Sequence, residues 1–176
     1  MNAIAQARFP GYDGIPDDLK ELLKFSAFGI PRSFLMMLRD YQTTLRQTTQ
    51  QKFNKIIEKY VELRLSEYSS LKDKLPRLFD IVSLGESLLL EVVELLKESN
   101  SQYKEEKQVI IGIEKNDNVY FSRLTKLLIE TGLFYNLPDI SHCDGRTYDR
   151  YIPHYALLIK ERVFKEGSRG FSPSQI

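Results

Sequence analysis

The residues best suited to metal binding or nucleophilic catalysis lie late in the chain, where His142, Cys143 and Asp144 are consecutive and His154 follows. Two imidazoles and a thiolate are ligands that Zn²⁺ accepts. Three consecutive side chains converge on one ion only with unusual backbone turns, however, and the chain has no second cysteine. A Cys143–His142 nucleophile pair is disfavoured because sequence neighbours rarely bring a base against a thiolate. We therefore expect a polar loop here, with no metal ligands and no catalytic residues in this chain.

A second set of residues is suited to contacts with nucleic acid. An amphipathic segment and the strand-like run after it carry four cations and two tyrosines: Arg123, Lys126, Arg146, Tyr148, Arg150 and Tyr151. Arg, Lys and Tyr side chains supply many of the contacts to phosphate and sugar in protein–DNA complexes. Cations on a β-hairpin also serve solubility or protect a sheet edge. The first interpretation predicts contact with DNA or a partner at Arg123, Lys126, Arg146, Arg150 and Tyr148.

A third candidate is Arg32, which follows a tight turn. Gly29 ends one helix and Pro31 opens the next, so Arg32 lies in the first turn of an apolar helix. A cation at this position interacts unfavourably with the helix dipole, which destabilises the helix by roughly a few tenths of a kcal/mol unless an anion is near. The anion is either a bound phosphate or a protein carboxylate such as Asp17 or Asp18.

The run Gly29-Ile30-Pro31-Arg32, followed by Ser33-Phe34-Leu35, resembles the sensor-2 turn in the helical lid of AAA+ and STAND-type P-loop ATPases, especially the origin-recognition-like branch. In that family the arginine reaches the terminal phosphate of ATP on a neighbouring large domain, and the lid leads into a winged-helix domain. The resemblance implies nucleotide sensing by Arg32. The run from Leu124 to Phe134 is similar to the third helix and wing entry of winged-helix domains.

The sequence departs from that family at two points. It contains no G-x-x-x-x-G-K-[ST] phosphate loop, so the resemblance implies no cofactor in this chain, with ATP and Mg²⁺ held by a full-length parent. Only one helix is expected between the Val109 strand and the wing, where a full winged helix has two. The winged-helix domain is therefore expected to be degenerate.

Composition narrows the class of protein further. The 176 residues are 42% hydrophobic and 28% charged, with a net charge of +1, which is typical of a globular protein without a global field toward nucleic acid or anionic membranes. The single cysteine excludes an internal disulfide. We expect a cytoplasmic protein, and no run of apolar residues long enough to span a bilayer.

Hydrophobic periodicity predicts a mainly α fold with a small β-wing. The expected organisation is a lead-in and helical lid hairpin over residues 1–48, a helical plus degenerate winged-helix domain over 49–166, and a mobile tail over 167–176. The expected elements are an extended lead-in over 1–14, helices over 17–29, 31–47, 47–72, 86–99, 118–131 and 154–164, a buried strand over 109–113, strands over 133–137 and 148–152, and a turn-rich loop over 138–147. Ser83 and Glu86 are expected to cap the apolar helix 86–99 as a capping box, and that helix is expected to be buried.

Two functions follow from these expectations. The preferred one is a non-catalytic C-terminal region of an AAA+/STAND-like ATPase, in which Arg32 senses nucleotide on an ATPase domain and the winged-helix part binds duplex DNA or a protein partner. The alternative is a stand-alone helical protein-interaction module without nucleotide or DNA binding. In that case the third helix, whose charges alternate in sign, is either a solvated face or a coiled-coil partner surface.

Overall fold

The protein is mainly α-helical with a small β-wing, as expected. The structure, a computed structural model, describes residues 1–44, 46–102, 107–115, 118–143 and 145–164, without the side chain of Asp139. Expectations for Leu45, Asn116, Asp117, Asp144 and the tail 167–176 lie outside the described residues. The helices are α1 (Asn2–Arg8), α2 (Asp17–Ser26), α3 (Pro31–Thr43), α4 (Thr49–Ser69), α5 (Leu71–Lys74), α6 (Phe79–Gln102), α7 (Val119–Glu130) and α8 (Tyr155–Lys160). The strands are β1 (Ile111–Glu114), β2 (Phe134–Cys143) and β3 (Arg146–Pro153).

The chain divides into two compact units. One contains residues 1–61 together with the segment from Tyr155 onward, and the other contains residues 62–154. The division falls within α4, whereas the sequence suggested a boundary near residue 48. The organisation of the chain into independently folding domains stays a prediction.

The first unit is built around the α2–α3 helical hairpin. Gly29 adopts φ 75° after α2, and Pro31 opens α3, as the sequence predicted. The Tyr60 hydroxyl of α4 donates a hydrogen bond of 2.8 Å to the Ser33 hydroxyl, and both side chains are buried. Apolar side chains of α2, α3, α4 and α8 complete the core of this unit: Leu19, Leu23, Phe34, Met37, Leu38, Phe53, Ile57, Leu157 and Leu158.

The N-terminal segment is ordered into helix, so the expectation of an extended lead-in over 1–14 is wrong. Alanine has the highest helix propensity, and the alternating alanines of this segment form α1 with Ala5 fully buried. A 3₁₀ turn follows at Tyr12–Gly14. The buried Tyr12 donates a hydrogen bond of 2.9 Å from its hydroxyl to the Asn2 side chain, which ties the two elements together.

The expected capping box at Ser83 and Glu86 is also wrong. Helix α6 begins at Phe79, directly after a 3₁₀ turn opened by Pro76, so Ser83 lies inside the helix. Glu86 instead accepts hydrogen bonds from Lys72 (2.5 Å) and Ser69 (2.6 Å). Burial alone would raise the pKa of Glu86, but these two donors outweigh it and lower the pKa. The carboxylate therefore joins α6 to α5 and the end of α4.

Helix α6 is only half buried, although the sequence predicted a core helix. Val82, Leu89, Val93 and Leu96 are buried, whereas Leu84, Leu90 and Leu95 are exposed. The prediction failed because apolar composition on all sides does not say which side is covered. The expected last helix is also shorter, since α8 ends at Lys160 and a turn continues to Phe164.

The second unit contains an antiparallel sheet with strand order β1-β3-β2. Helix α7 precedes the hairpin, and its Asn118 cap accepts hydrogen bonds from the backbone N–H groups of Tyr120 and Phe121. Gly132 ends the helical segment with φ 74°. The bounds of α7 agree closely with the helix predicted over 118–131. Strand β1 is half exposed instead of buried, because its residues alternate between a covered and an open face.

The predicted turn-rich loop over 138–147 is mostly strand. Cys143 pairs with Arg146, so the sequence Asp144-Gly145 separates two directly paired residues. Asn-Gly and Asp-Gly are the strongest two-residue hairpin signals, and this one was overlooked because Pro138 suggested a longer loop. A register shift between Asn136 and Ile140 accommodates Pro138 within β2, since a bulge needs no ladder donor from every residue.

Candidate nucleic-acid interface

The inner face of the sheet is closed by α7. Tyr151 of the central strand is buried and forms a side-chain hydrogen bond with Thr125 of α7. Its ring lies 5.8 Å from that of Phe134, centroid to centroid. Burial, and to a smaller extent the charge of Asp149, raises the pKa of Tyr151. The sequence grouped Tyr151 with Tyr148 as an aromatic that meets DNA. For Tyr151 this is wrong, because its side chain belongs to the core.

The opposite, outer face of the sheet brings together three of the predicted site residues. Side chains alternate between faces along a strand, so Arg146, Tyr148 and Arg150 of β3 share the face that Tyr151 does not occupy. Each is separated from the next by roughly 7 Å along the strand, from the strand rise per residue. Because β3 is the central strand, it is hydrogen-bonded on both sides. The three side chains therefore project from the most firmly held strand of the sheet.

The electrostatics of the outer face are mixed but mainly basic. Glu114 of β1 lies across from Tyr148 and forms a salt bridge of 3.3 Å with Arg146. The side chains of Arg146 and Glu114 are 62% and 50% exposed. A salt bridge that is this exposed contributes little to stability. Gly112 pairs with Arg150 and presents no side chain beside it. A phosphate can therefore replace Glu114 as the partner of Arg146 at small cost.

The other two predicted residues lie on a different surface. Arg123 and Lys126 are exposed on α7, on the side away from the buried residues Leu124 and Leu128. Lys126 lies 3.8 Å from Glu130 in an exposed i,i+4 pair. The predicted five-residue site is thus split between the outer sheet face and the solvent side of α7.

One residue of the outer face was missed by sequence reasoning. Tyr135 of β2 pairs with Ile152 and is 53% exposed, and Ile152 shares the face of Arg150. Its position could have been found from its neighbour, since a buried Phe134 at the start of a strand places the next side chain on the opposite face. The outer face therefore has Tyr148 between the two arginines and Tyr135 beyond Arg150.

Arg32 lies where the sequence placed it. It is exposed in the first turn of α3, and that turn contains no acidic residue. Asp17, one of its two expected carboxylate partners, forms a salt bridge of 2.9 Å with Lys20. Hydrogen bonding to Lys20 lowers the pKa of Asp17. Within the described ranges Arg32 forms no salt bridge with a carboxylate.

The two histidines are in contrasting environments. His142 is exposed on β2 and its Nδ1 lies 3.3 Å from the Thr147 hydroxyl, whereas His154 is 3% exposed and Leu133 accepts a hydrogen bond from its backbone N–H. Cys143 is an exposed free thiol. In the part of the chain that the structure describes, no group of three His, Cys, Asp or Glu side chains is arranged to hold a metal ion.

Among the described residues, no helix has both the length and the apolar character needed to cross a membrane.

Comparison of the chain with protein-family models, with curated proteins and with solved structures finds no match.

Proposed function

We propose that this protein is a non-catalytic binding module whose outer sheet face binds duplex DNA through its phosphates. The proposal depends on one observation, that Arg146, Tyr148 and Arg150 project from the same face of the central strand, opposite the face that α7 covers. Two guanidinium groups with a tyrosine between them can contact phosphate and sugar along one strand of a duplex. A winged-helix relationship is part of the proposal. It is supported by the order of the elements, in which α7 ends at Gly132 and the β2–β3 hairpin follows.

The proposal is tested by fluorescence anisotropy with a labelled duplex over a series of salt concentrations. Arg146→Gln/Arg150→Gln should weaken binding at least about tenfold and reduce the slope of log K against log salt by about 2, which is roughly one per lost phosphate contact. Glutamine keeps much of the side-chain length, so packing on the sheet should change little.

The matched control is Arg123→Gln/Lys126→Gln, which removes the same charge from the solvent side of α7. We expect its effect to be small. A loss of affinity confined to the control pair would transfer DNA binding to α7 and overturn the role of the sheet face. Absence of salt-dependent binding by the unmodified protein would favour the alternative, a stand-alone protein-interaction module.

A second candidate function concerns Arg32, which we propose to contact the terminal phosphate of ATP on an ATPase domain. This is supported by its exposure in a first turn without acidic residues and by the engagement of Asp17 with Lys20. Arg32→Ala should then change the free energy of unfolding by less than about 0.5 kcal/mol, as for other exposed surface positions. A large loss of stability would instead indicate a structural role.

The ATPase partner itself is tested in source cells. Blotting with an antibody against this chain should detect a species far heavier than the chain, which carries a phosphate loop. If the blot does not, an ATPase should co-purify with the chain. Loss of that co-purified ATPase activity on Arg32→Ala would support nucleotide sensing. Detection of neither would overturn it. The proposal also includes a cytoplasmic location, which agrees with the single cysteine and its free thiol.

A further inference from the structure

Helix α6 presents a second face that its own unit leaves uncovered. Three leucines are more than half exposed on this helix: Leu84 at 58%, Leu90 at 66% and Leu95 at 56%. A single exposed leucine needs no explanation. Two of the three, Leu84 and Leu95, lie on one side of this 24-residue helix, outside the buried stripe that includes Val82, Leu89 and Leu96. Leu90 lies about 120° away around the helix axis, at 3.6 residues per turn.

Two of these leucines follow the spacing of a helix-packing seam. At 3.6 residues per turn, Leu84, Leu88, Glu91 and Leu95 fall within a narrow stripe, at i, i+4, i+7 and i+11. This is the a/d spacing at which two helices pack side by side. Leu84 and Leu95 are about 16 Å apart along the axis, from the helical rise. The stripe is therefore long enough to receive a partner helix of three turns.

The charge around the stripe identifies the kind of partner. The exposed side of α6 carries four carboxylates, Asp80, Glu91, Glu94 and Glu98, and one cation, Lys97, which lies 2.7 Å from Glu94. Four negative charges and one positive charge leave a net charge of −3. In the described part of the chain, Asp80, Glu91 and Glu98 form no salt bridges. Their carboxylates are thus available to an approaching cationic side chain.

A second copy of this protein is a poor occupant of the stripe. Glu91 lies at its centre, so pairing two α6 helices would bring acidic faces together, and like charges across a helix pair are destabilising. We propose instead that the stripe docks an amphipathic, basic helix of a partner protein, whose apolar side covers Leu84, Leu88 and Leu95 and whose Lys and Arg side chains meet Glu91 and Glu98. This surface is separate from the outer sheet face and does not depend on DNA binding.

The probe for this proposal is a synthetic helical peptide with leucine at the a and d heptad positions and lysine at e and g. The control peptide carries glutamate in place of each lysine. The full chain should bind the lysine peptide at least about tenfold more tightly, a difference of about 1.4 kcal/mol. Equal binding of the two peptides would show non-specific adhesion to exposed leucines and would overturn the proposal.

Two variants localise the binding. Leu84→Ser/Leu95→Ser should abolish binding of the lysine peptide, whereas Leu63→Ser, at an exposed leucine of α4, should not. Glu91→Lys/Glu98→Lys should reverse the preference between the two peptides, whereas Glu62→Lys should leave it unchanged. Circular dichroism checks that each variant is folded.

Sedimentation velocity of the chain alone tests the second copy as occupant. We expect no self-association that depends on the stripe. Self-association that Leu84→Ser/Leu95→Ser abolishes would assign the stripe to a homodimer and overturn the choice of partner. Unchanged peptide binding in both α6 variants would overturn the site itself.

Discussion

At the residue scale, α4 and α6 approach each other closely at Gly85 of α6. The Tyr68 side chain is fully buried, and its hydroxyl is directed at Gly85 without a hydrogen-bond partner among the described residues. Burial, with a smaller contribution from the charge of Glu86, raises the pKa of Tyr68 to about 12. A Cβ at residue 85 would overlap the hydroxyl oxygen and lie 3.0 Å from Cζ. Only glycine leaves room for the hydroxyl there.

This contact predicts that two ordinary substitutions have unusual signs. Tyr68→Phe should stabilise the protein by about 1 kcal/mol, because it removes a buried hydroxyl that makes no hydrogen bond with any described residue. Gly85→Ala, which normally favours a helix interior, should destabilise it by about 1–3 kcal/mol through overpacking. Urea unfolding measures both changes.

The double variant tests whether the two effects have one cause. If the hydroxyl is what alanine meets, Tyr68→Phe should relieve a large part of the cost of Gly85→Ala, with a coupling energy above about 1 kcal/mol. Additive effects would show that the two residues act independently and would contradict the described contact.

His154 predicts a dependence of stability on pH. Burial, and then the charge of Arg64, lowers the pKa of His154 from 6.5 to about 3. Below pH 6.5 the unfolded chain binds a proton that the folded chain does not, so the stability contribution is present above that pH and is lost as pH falls toward 3. Lowering the pH from 7 to about 5 should therefore reduce the contribution of His154 to the free energy of unfolding by about 2 kcal/mol.

The chain contains one other histidine, which provides the control. His154→Gln should flatten the pH dependence of unfolding, whereas His142→Gln, at an exposed position, should preserve it. Should His154→Gln fold poorly, NMR of the unmodified protein gives the same test, because the His154 ring signal should not titrate between pH 8 and about pH 5. A titrating His154 in that range would contradict its buried, neutral state.

At the scale of elements, the turn of the β2–β3 hairpin depends on Gly145, which has φ 75°. Gly145→Ala should cost about 1 kcal/mol, because non-glycine residues disfavour positive φ. Gly14→Ala is the matched control, since Gly14 also faces open space but does not have a positive φ. Thermal unfolding compares them, and equal effects would exclude a backbone origin.

Local signals explain which elements could be predicted. Helix α7 has its cap at Asn118, its apolar stripe and its ending at Gly132 within one stretch, so the sequence predicted it nearly whole. The β-wing was predicted with a ten-residue loop instead of a two-residue turn, because Pro138 is a turn residue in most contexts and only pairing with β3 shows that a bulge contains it. The exposed leucines of α6 were unpredictable for a related reason, since the covering of a helix face depends on residues distant in sequence.

The candidate site shows the same division. Alternation along β3 groups Arg146, Tyr148 and Arg150 on one face, but the sequence prediction placed Arg146 in a loop and grouped Tyr151 with them. Separating them from Arg123 and Lys126 requires knowing which sheet face α7 covers, and that is determined by the contact of Thr125 with Tyr151. Tyr151 was misassigned for this reason.

At the scale of the whole molecule, the first unit joins the two ends of the described chain. Its core includes Leu157, Leu158, Val163 and Phe164, all buried and all distant in sequence from α1 to α4. Tyr155 adds edge-on ring contacts with Phe25 and Phe28 at centroid distances of 6.3 and 5.4 Å. The unit therefore needs the C-terminal segment for its core.

We accordingly expect opposite outcomes from two truncations. A chain ending at His154 should lose the cooperative unfolding of the first unit, because each large apolar side chain removed contributes about 1.5–3 kcal/mol of burial. A chain ending at Phe164 keeps those side chains and should unfold near the temperature of the full chain. Differential scanning calorimetry measures both. Retained cooperativity in the shorter chain would show that the first unit is stable without α8.

The bulge in β2 has a consequence for behaviour at high concentration. In the described sheet, β1 and β2 are the outer strands, and an outer strand with free backbone groups recruits extended chains and seeds fibrils. β1 has only four residues, and in β2 the bulge and the missing N–H of Pro138 interrupt the free edge. Neither outer strand offers a long template, so the sheet can present the exposed Tyr135 and Arg146 without promoting strand-by-strand polymerisation.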